Sequence, residues 1–311
     1  RSSILFAALT VRAKLFAQIR FQFQQMIGGR EGALFGTQDL AVLERPDIGH
    51  SSFDLMFRAL QDADLAGDWF GVIRTRGDRR MKRLRPDWTT VVLGSRNPDA
   101  DPDHLGLDPD AEVIGYGYQP GGPGSQADIL AFGPDEVAHF HPNPNPMSLY
   151  RGLPLVLAAM PDIIADNAAT AHKRAFFRNA ATPLLAVSFP ASMDETKALK
   201  WISAFESRHT GSIGAFSTAY FGGGIDIKAV GSSFKDMAFT DLQDKAETRM
   251  AAVAGIHPSI LGMSEGLGGS ALNAGNFTAI ARMVSDVTLR FLWGDICGSL
   301  EAVIPALGGT R

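Results

Sequence analysis

Two stretches with the spacing of long helices, residues 152–179 and 234–254, enclose a mixed segment of about fifty residues, an order that no simple bundle, barrel or doubly wound sheet accommodates. Gly152 opens the first stretch, which runs through Leu155, Ala159, Ile163, Asn167, His172, Phe176 and Phe177 toward Asn179, with Pro161 as a kink. The second carries Ala238, Leu242, Ala246, Met250 and Val253 on one stripe, with Asp236, Asp241, Asp244, Lys245 and Glu247 mostly off it. Between them, residues 184–189 read as a strand, 194–206 as a helix capped by Asp194 or Ser192, and 219–230 as a pair of short strands. The enclosed segment is a small α+β insert.

The flanks add helices, then strands, then helices. Apolar residues every three or four positions from Ile4 to Ile27 predict one helix that ends at Gly28-Gly29. A second helix is expected from Ser51 or Ser52 to about Leu65, before a turn at Gly67-Asp68. Residues 69–76 and 81–92 read as a hairpin, and 113–118, 128–131 and 137–140 as short strands between Pro- and Gly-rich turns. Residues 255–275 form a Gly- and Ser-rich loop, and 276–303 a closing helix. The expected class is α+β, without internal repeats.

Composition removes several classes. With 45% hydrophobic and 20% charged residues, the 311-residue chain has the balance of a folded protein with a sizeable core. A single cysteine, Cys297, excludes an intrachain disulfide framework and any thiolate-rich metal site. The longest uncharged stretch, 209–225, holds too much Ser, Thr and Gly to cross a bilayer, so no membrane partner is expected. The start reads as an amphipathic helix rather than a signal peptide, because Arg12 and Lys14 interrupt its apolar run.

Motifs of catalysis are fragmentary. Gly262-Met263-Ser264-Glu265-Gly266 fits the nucleophile elbow of serine hydrolases, but the triad histidine should follow the serine and none of the seven histidines does. His139-Phe140-His141 on a strand puts two imidazoles on one face, yet nothing completes a metal set, and a structural pair is the better reading. Gly115-Tyr116-Gly117 opens like a dinucleotide fingerprint, but Gly121 falls one residue late and no helix follows, so it reads as a turn-rich loop. The dipeptide Gly-Lys is absent, which excludes a Walker A loop. No catalytic residue, metal or cofactor is expected, and the chain reads as a non-enzyme.

Charge is segregated. Net charge is −4, unlike that of a protein that grips DNA by neutralising phosphates. Residues 72–85 nevertheless carry Arg74, Arg76, Arg79, Arg80, Lys82, Arg83 and Arg85 against Asp78 alone, net +6, whereas 97–150 hold nine acids, Asp99, Asp101 and Asp103 among them, and no Lys or Arg. The plain reading is a solvated hairpin beside a solvated acidic loop. The sharper one is that the two patches meet between copies in an assembly.

Six pieces in order then resemble the portal proteins of long-tailed double-stranded DNA phages. They are Gly67-Asp68-Trp69-Phe70-Gly71-Val72, Leu84-Arg85-Pro86, Asp135-Glu136-Val137-Ala138-His139-Phe140, Arg151-Gly152-Leu153-Pro154-Leu155, Phe176-Phe177-Arg178-Asn179-Ala180-Ala181-Thr182-Pro183, and residues 253–262 from Val253 to Gly262. Ala180, Ser259 and Pro154 depart from the family pattern, at turns and helix starts rather than at chemistry.

The resemblance implies a portal-type subunit: residues 1–150 as a strand-rich wing, 151–180 as the first stem helix, 181–232 as the clip, 233–255 as the second stem helix, 256–275 as the tunnel loop, and 276–311 as the long helix behind the channel with the C-terminal end. It implies a dodecameric ring at a capsid vertex of a virion, assembled in the host cytoplasm. Double-stranded DNA is packaged through that ring by a separate terminase and later ejected. The tunnel loop would touch DNA through Gly262, Ser264, Gly266, Gly268, Gly269, Ser270, Asn273 and Gly275, and the second stem helix would line the channel with Asp236, Asp241, Asp244, Lys245 and Glu247. Arg74, Arg76, Arg79 and Arg80 would face Asp99, Asp101 and Asp103 of a neighbour, and Glu195, Lys197, Glu206 and Arg208 of the clip would dock terminase. Capsid, scaffold and head-completion (neck) proteins are the other partners implied. The alternatives are a hydrolase built on Ser264 and a nucleic-acid binder built on the basic hairpin.

Overall fold

A computed structural model describes residues 2–36, 40–74, 80–178, 185–190, 192–209, 226–229, 248–262 and 274–304. The chain is mixed α+β and divides into a larger unit, 3–160 with 249–311, and a smaller one, 161–248 with the first two residues.

Helix α1 (Ser3–Phe16) buries Leu5, Ala8, Arg12 and Phe16, one face at helical spacing. The expected continuation to residue 27 is corrected: Phe23–Ile27 is strand β1, paired antiparallel with β2 (Arg30–Phe35). Phe21-Gln22-Phe23-Gln24 alternates with period two, and Gly28 and Gly29 take φ of 58° and 76°, the pair of left-handed residues that a two-residue hairpin turn requires. After the short α2 (Ala41–Glu44), α3 (Ser52–Ala66) starts at a capping box. The Ser51 hydroxyl accepts from the Asp54 amide, and the Asp54 carboxylate accepts from the Ser51 amide.

Strands β3 (Trp69–Arg74) and β4 (Arg80–Leu84) form the expected hairpin. Its second arm does not continue to residue 92, because Pro86 lacks an N–H for the ladder; a 3-10 turn, Pro86–Trp88, separates it from β5 (Thr89–Ser95). Then come β6 (Ala111–Tyr118), β7 (Leu130–Phe132) and β8 (Val137–Phe140). Gly115 and Gly117 lie inside β6 rather than in a loop, since a Cβ at Gly115 would meet the Phe132 carbonyl oxygen of the next strand.

Two antiparallel sheets result, ordered β4-β3-β8 and β5-β6-β7. The first is buried on both faces. Phe70, Val72, Leu84 and Val137 point toward Tyr116 and the second sheet, while Trp69, Ile73, Met81, Ala138 and Phe140 point into a core shared with α1 and α3. The C-terminal helix joins that core through Leu292, Ile296 and Leu300. The larger unit is thus layered sheet, sheet, helices.

Strands β9 (Pro144–Asn145) and β10 (Ser148–Gly152) lead to α4 (Leu155–Arg178). Gly152 ends β10 rather than opening the helix, because Pro154 biases Leu153 away from helical geometry. In the smaller unit β11 (Leu185–Ser188) pairs antiparallel with β12 (Asp226–Ala229), and α5 (Glu195–His209) stacks Trp201 on Phe205 with centroids 5.1 Å apart. Of the second predicted long helix, residues 248–253 are described and helical; the rest lies outside the described residues.

The closing helix begins at Ala274, two residues before the expected start, so Gly275 belongs to its first turn and not to the loop. A glycine is tolerated there, where the amides have no intrahelical partner in any case. Segments α6 (Ala274–Val284) and α7 (Arg290–Glu301) are joined by a π-helical turn, Ser285–Leu289. Among the described residues, no helix is long and apolar enough to cross a membrane.

Candidate functional site

The C-terminal end of α3 sets up the first buried polar centre. Gly67 closes the helix with φ +89°, and a Cβ there would run into the Gly152 carbonyl, so this glycine is required twice over. The next residue, Asp68, is fully buried. Its carboxylate accepts from His139 Nε2 at 2.9 Å, Arg151 Nε at 2.8 Å and the Gly152 amide at 2.8 Å. Burial pushes this carboxyl up, but those three donors together hold it below the usual carboxylate range.

Each partner is itself placed. Arg151 reaches on to the carbonyls of Thr89 and Pro86, both at 3.4 Å. His139 is pulled below the usual imidazole range by burial, opposed by its bond to Asp68. With Nε2 donating, Nδ1 faces the Tyr116 hydroxyl at 3.4 Å, and burial pushes that phenol up to about 12. Three motif pieces far apart in sequence therefore meet at one carboxylate, 67–72, 135–140 and 151–155, and Arg151 ties a fourth, 84–86, to them through the Pro86 carbonyl. The chemistry is positional. Asp68 and Arg151 neutralise each other, His139 is held neutral, and α4 is anchored three residues before its first residue.

A second centre lies one helical turn earlier in the chain, where Asp64 of α3 faces Arg12 of α1. Arg12 Nη1 donates to the Ala254 carbonyl at 2.7 Å, and Arg12 Nε lies 3.2 Å from Asp64, an ion pair without a hydrogen bond between them. Burial pushes the Asp64 carboxyl up to about 6, against the pull of Arg12. Gly255, at φ +64°, turns the chain out of the helical residues 248–253, and its carbonyl accepts from Thr288 Oγ1 at 2.9 Å. Thr288 stands in the π-turn, so the widened turn is where the closing helix bonds to the chain just after the helical residues 248–253.

The residues singled out from sequence fare unevenly. Arg80 and Lys82 pair with Asp47, Arg83 with Asp62 through two nitrogens, and Arg85 with Asp87 while lying 4.1 Å over the Trp88 ring. Four of the seven cations of residues 72–85 are thus paired within their own chain. The side chain of Arg74, and Arg76 and Arg79, lie outside the described residues. Asp99, Asp101 and Asp103 are exposed; Asp101 bonds the Asp103 amide and His104. Glu195 and Lys197 are exposed in the first turn of α5, whereas nothing is described of the side chains of Glu206 and Arg208.

Gly262 caps a 3-10 turn, Pro258–Leu261, with φ +73°. No strand leads into it, so the strand-turn-helix context of a nucleophile elbow is missing and the hydrolase reading loses its structural basis. Ser264, Gly266, Gly268, Gly269, Ser270 and Asn273 lie outside the described residues, as do Asp236, Asp241, Asp244, Lys245 and Glu247. His139 and His141 lie with ring centroids 4.6 Å apart, but among the described residues no group of three or more ligating side chains could hold a metal.

The model of the family described as phage portal protein matches residues 3–276, which include all six motif pieces and both buried centres up to Gly255. The chain belongs to the phage portal protein family. Solved structures agree in fold. A chain in the neck of a native GTA particle, computed with twelve-fold symmetry, superposes with a TM-score of 0.66 at 21% identity, over 98% of this chain and 79% of that one. A chain in the neck of an empty GTA particle gives 0.66 at 23% identity, again over 98% and 79%. An HK97 family phage portal protein from Corynebacterium diphtheriae gives 0.52 at 16% identity, over 96% and 86%. Among curated proteins none matches. The portal fold thus places Asp68 and Arg151 at the entry to the long helix α4, and Arg12, Asp64 and Thr288 at the exit from the helical residues before Gly255.

Proposed function

We propose that the chain is the repeating subunit of a closed, twelve-membered ring at a capsid or gene-transfer-particle vertex. Through that ring double-stranded DNA is packaged by a separate terminase and later ejected. The observation that carries this reading is the surface of α4. From 155 to 171 its fully exposed side chains are mainly apolar, with Leu157, Met160 and Ile164 at 51%, 42% and 62% exposure and alanines among the rest, while Asp162 and Asp166 stand half-buried on the same helix. A helix that exposes several large apolar side chains is one that an assembly covers. Membership of the portal family and the symmetric neck of a similar structure make further copies of the same chain the natural cover.

The channel follows from charge. Every phosphate neutralised by Lys or Arg adds salt-dependent affinity, hence drag on moving DNA, so a mildly acidic subunit suits a conduit. In this reading the second long helix, net negative through Asp236, Asp241, Asp244 and Glu247, lines the wall, and residues 262–273 project toward the DNA. The clip, 181–232, docks terminase and later neck proteins, and Arg74, Arg76 and Arg79 face acids of a neighbour. Negative-stain microscopy of the purified chain should show rings with a central hole; monodisperse single subunits at micromolar concentration would overturn the reading.

A further inference from the structure

The larger unit leaves two apolar faces uncovered, and its layering puts them on opposite sides. On the helix side, Met283, Val287 and Phe291 are 46%, 74% and 62% exposed and follow one another at four-residue spacing along α6, the π-turn and α7. They lie opposite the buried stripe Leu292, Ile296 and Leu300 that holds the helix on the core. On the sheet side, Val92, Ile114 and Ile129 are 40%, 57% and 64% exposed. Val91, Val113 and Tyr118 point inward, so Val92 and Ile114 belong to the outer face of their strands, and Ile129, just before β7, lies against the outward side of Gly117. Gly94 keeps that face flat, since a Cβ there would strike the Ile114 side chain.

The surroundings of the two faces are complementary. Asp128 stands exposed beside Ile129, in the segment that lacks any Lys or Arg, and Glu112 stands exposed beside Ile114, where Arg96 pairs with it at 2.9 Å. The helix face is flanked by Arg282 and Arg290, 84% and 76% exposed, which share the single Asp286. A head-to-tail contact that closes a ring needs two different, mutually complementary patches on opposite sides of one subunit. Here the subunit carries one of each.

We infer that the Met283, Val287 and Phe291 face of one copy packs on the Val92, Ile114 and Ile129 face of the next, with Arg282 and Arg290 toward the acidic rim. This seam rests on the ring reading above and names its contact. The occupant of each face is a second copy of this chain, and shape and burial supply its affinity while the rim charges fix register. Gly294 and Gly298 continue the exposed helix stripe, and among the described residues nothing lies within 4 Å of where a Cβ would stand at either. They let the neighbour's backbone come close.

Disulfide trapping tests the seam. In a Cys297→Ser background, Val287→Cys combined with Ile114→Cys should, on mild oxidation, give a ladder of covalent oligomers on denaturing gels, whereas either cysteine alone stays monomeric. A second variant needs no crosslink. Val287→Glu sets a carboxylate against the acidic rim and should weaken assembly about tenfold or more, the scale for burying an unpaired charge. Val287→Lys should be tolerated better, with both variants melting like the parent as isolated subunits. Rings seen by microscopy without a ladder, or equal assembly of the Glu and Lys variants, overturn the seam while leaving the ring reading intact. A parent chain that forms no ring overturns both.

Discussion

Asp64 and Asp68 lie four residues apart, both fully buried, and titrate in opposite directions. Asp68 has three donors that offset the cost of burying its charge; Asp64 has one guanidinium, in ion-pair range but not hydrogen-bonded. Because the folded value of Asp64 rises to about 6, its contribution is fully present below the unfolded carboxylate value and is lost as pH rises through about 6. Asp68 contributes above the unfolded value and loses that only in stronger acid. His139, pulled down by burial, opposes Asp64 in the window below the usual imidazole value, so the parent curve alone cannot separate them. The Asp64→Asn variant can. Relative to it, the parent should gain on the order of 2 kcal/mol on going from about pH 7 to about pH 4, at about 1.4 kcal/mol per pKa unit. Paired thermal melts across that range measure it, and a pH-independent difference would remove the assignment.

At the scale of elements, what could be read from sequence was whatever is local. The capping box Ser51-Asp54 and the αL glycine Gly67 bracket α3 in the sequence itself. The α1 boundary was hidden because Ile19, Phe23 and Ile27 fit helical spacing while the intervening glutamines fit alternation equally well, and only the Gly28-Gly29 turn decides. The Asp68 centre escaped because its partners lie 71, 83 and 84 residues away. A signal was present all the same: an acid opening the apolar strand Trp69-Phe70-Gly71-Val72 must be paired, and Arg151 and His139 sit in the other motif pieces. The junction of α3 with β10 gives a prediction of its own. Gly67→Ala would force a Cβ into the Gly152 carbonyl in left-handed backbone and should cost about 2 kcal/mol or more, against about 1 for an ordinary Gly→Ala conflict at a cap. A thermal melt within one degree of the parent would show that the junction relaxes.

At the scale of the whole molecule the segregated charge was legible, but its partners were not, since Asp47 and Asp62 neutralise Arg80, Lys82 and Arg83 from helices and turns that precede the hairpin. What remains for the assembled particle is the segment after Gly262. The turn Pro258–Leu261 ends at Gly262 with the chain in left-handed conformation, and the closing helix resumes at Ala274. Between them stand Gly266, Gly268 and Gly269, with Ser264, Ser270 and Asn273 as neutral hydrogen-bonding groups in place of cations. In the ring reading, neutral contacts let DNA slide, because they avoid the counterion release that would hold it. Ser264→Lys together with Ser270→Lys adds two positive charges per subunit, repeated around the ring. Packaging measured in a reconstituted system should slow or arrest, and raised salt should relieve the effect, since each added phosphate contact steepens the salt dependence by roughly one unit of log–log slope. Because neither change falls on a core position of either buried centre, ring formation by microscopy should be retained. Normal packaging by intact double-mutant rings would place this segment away from the DNA.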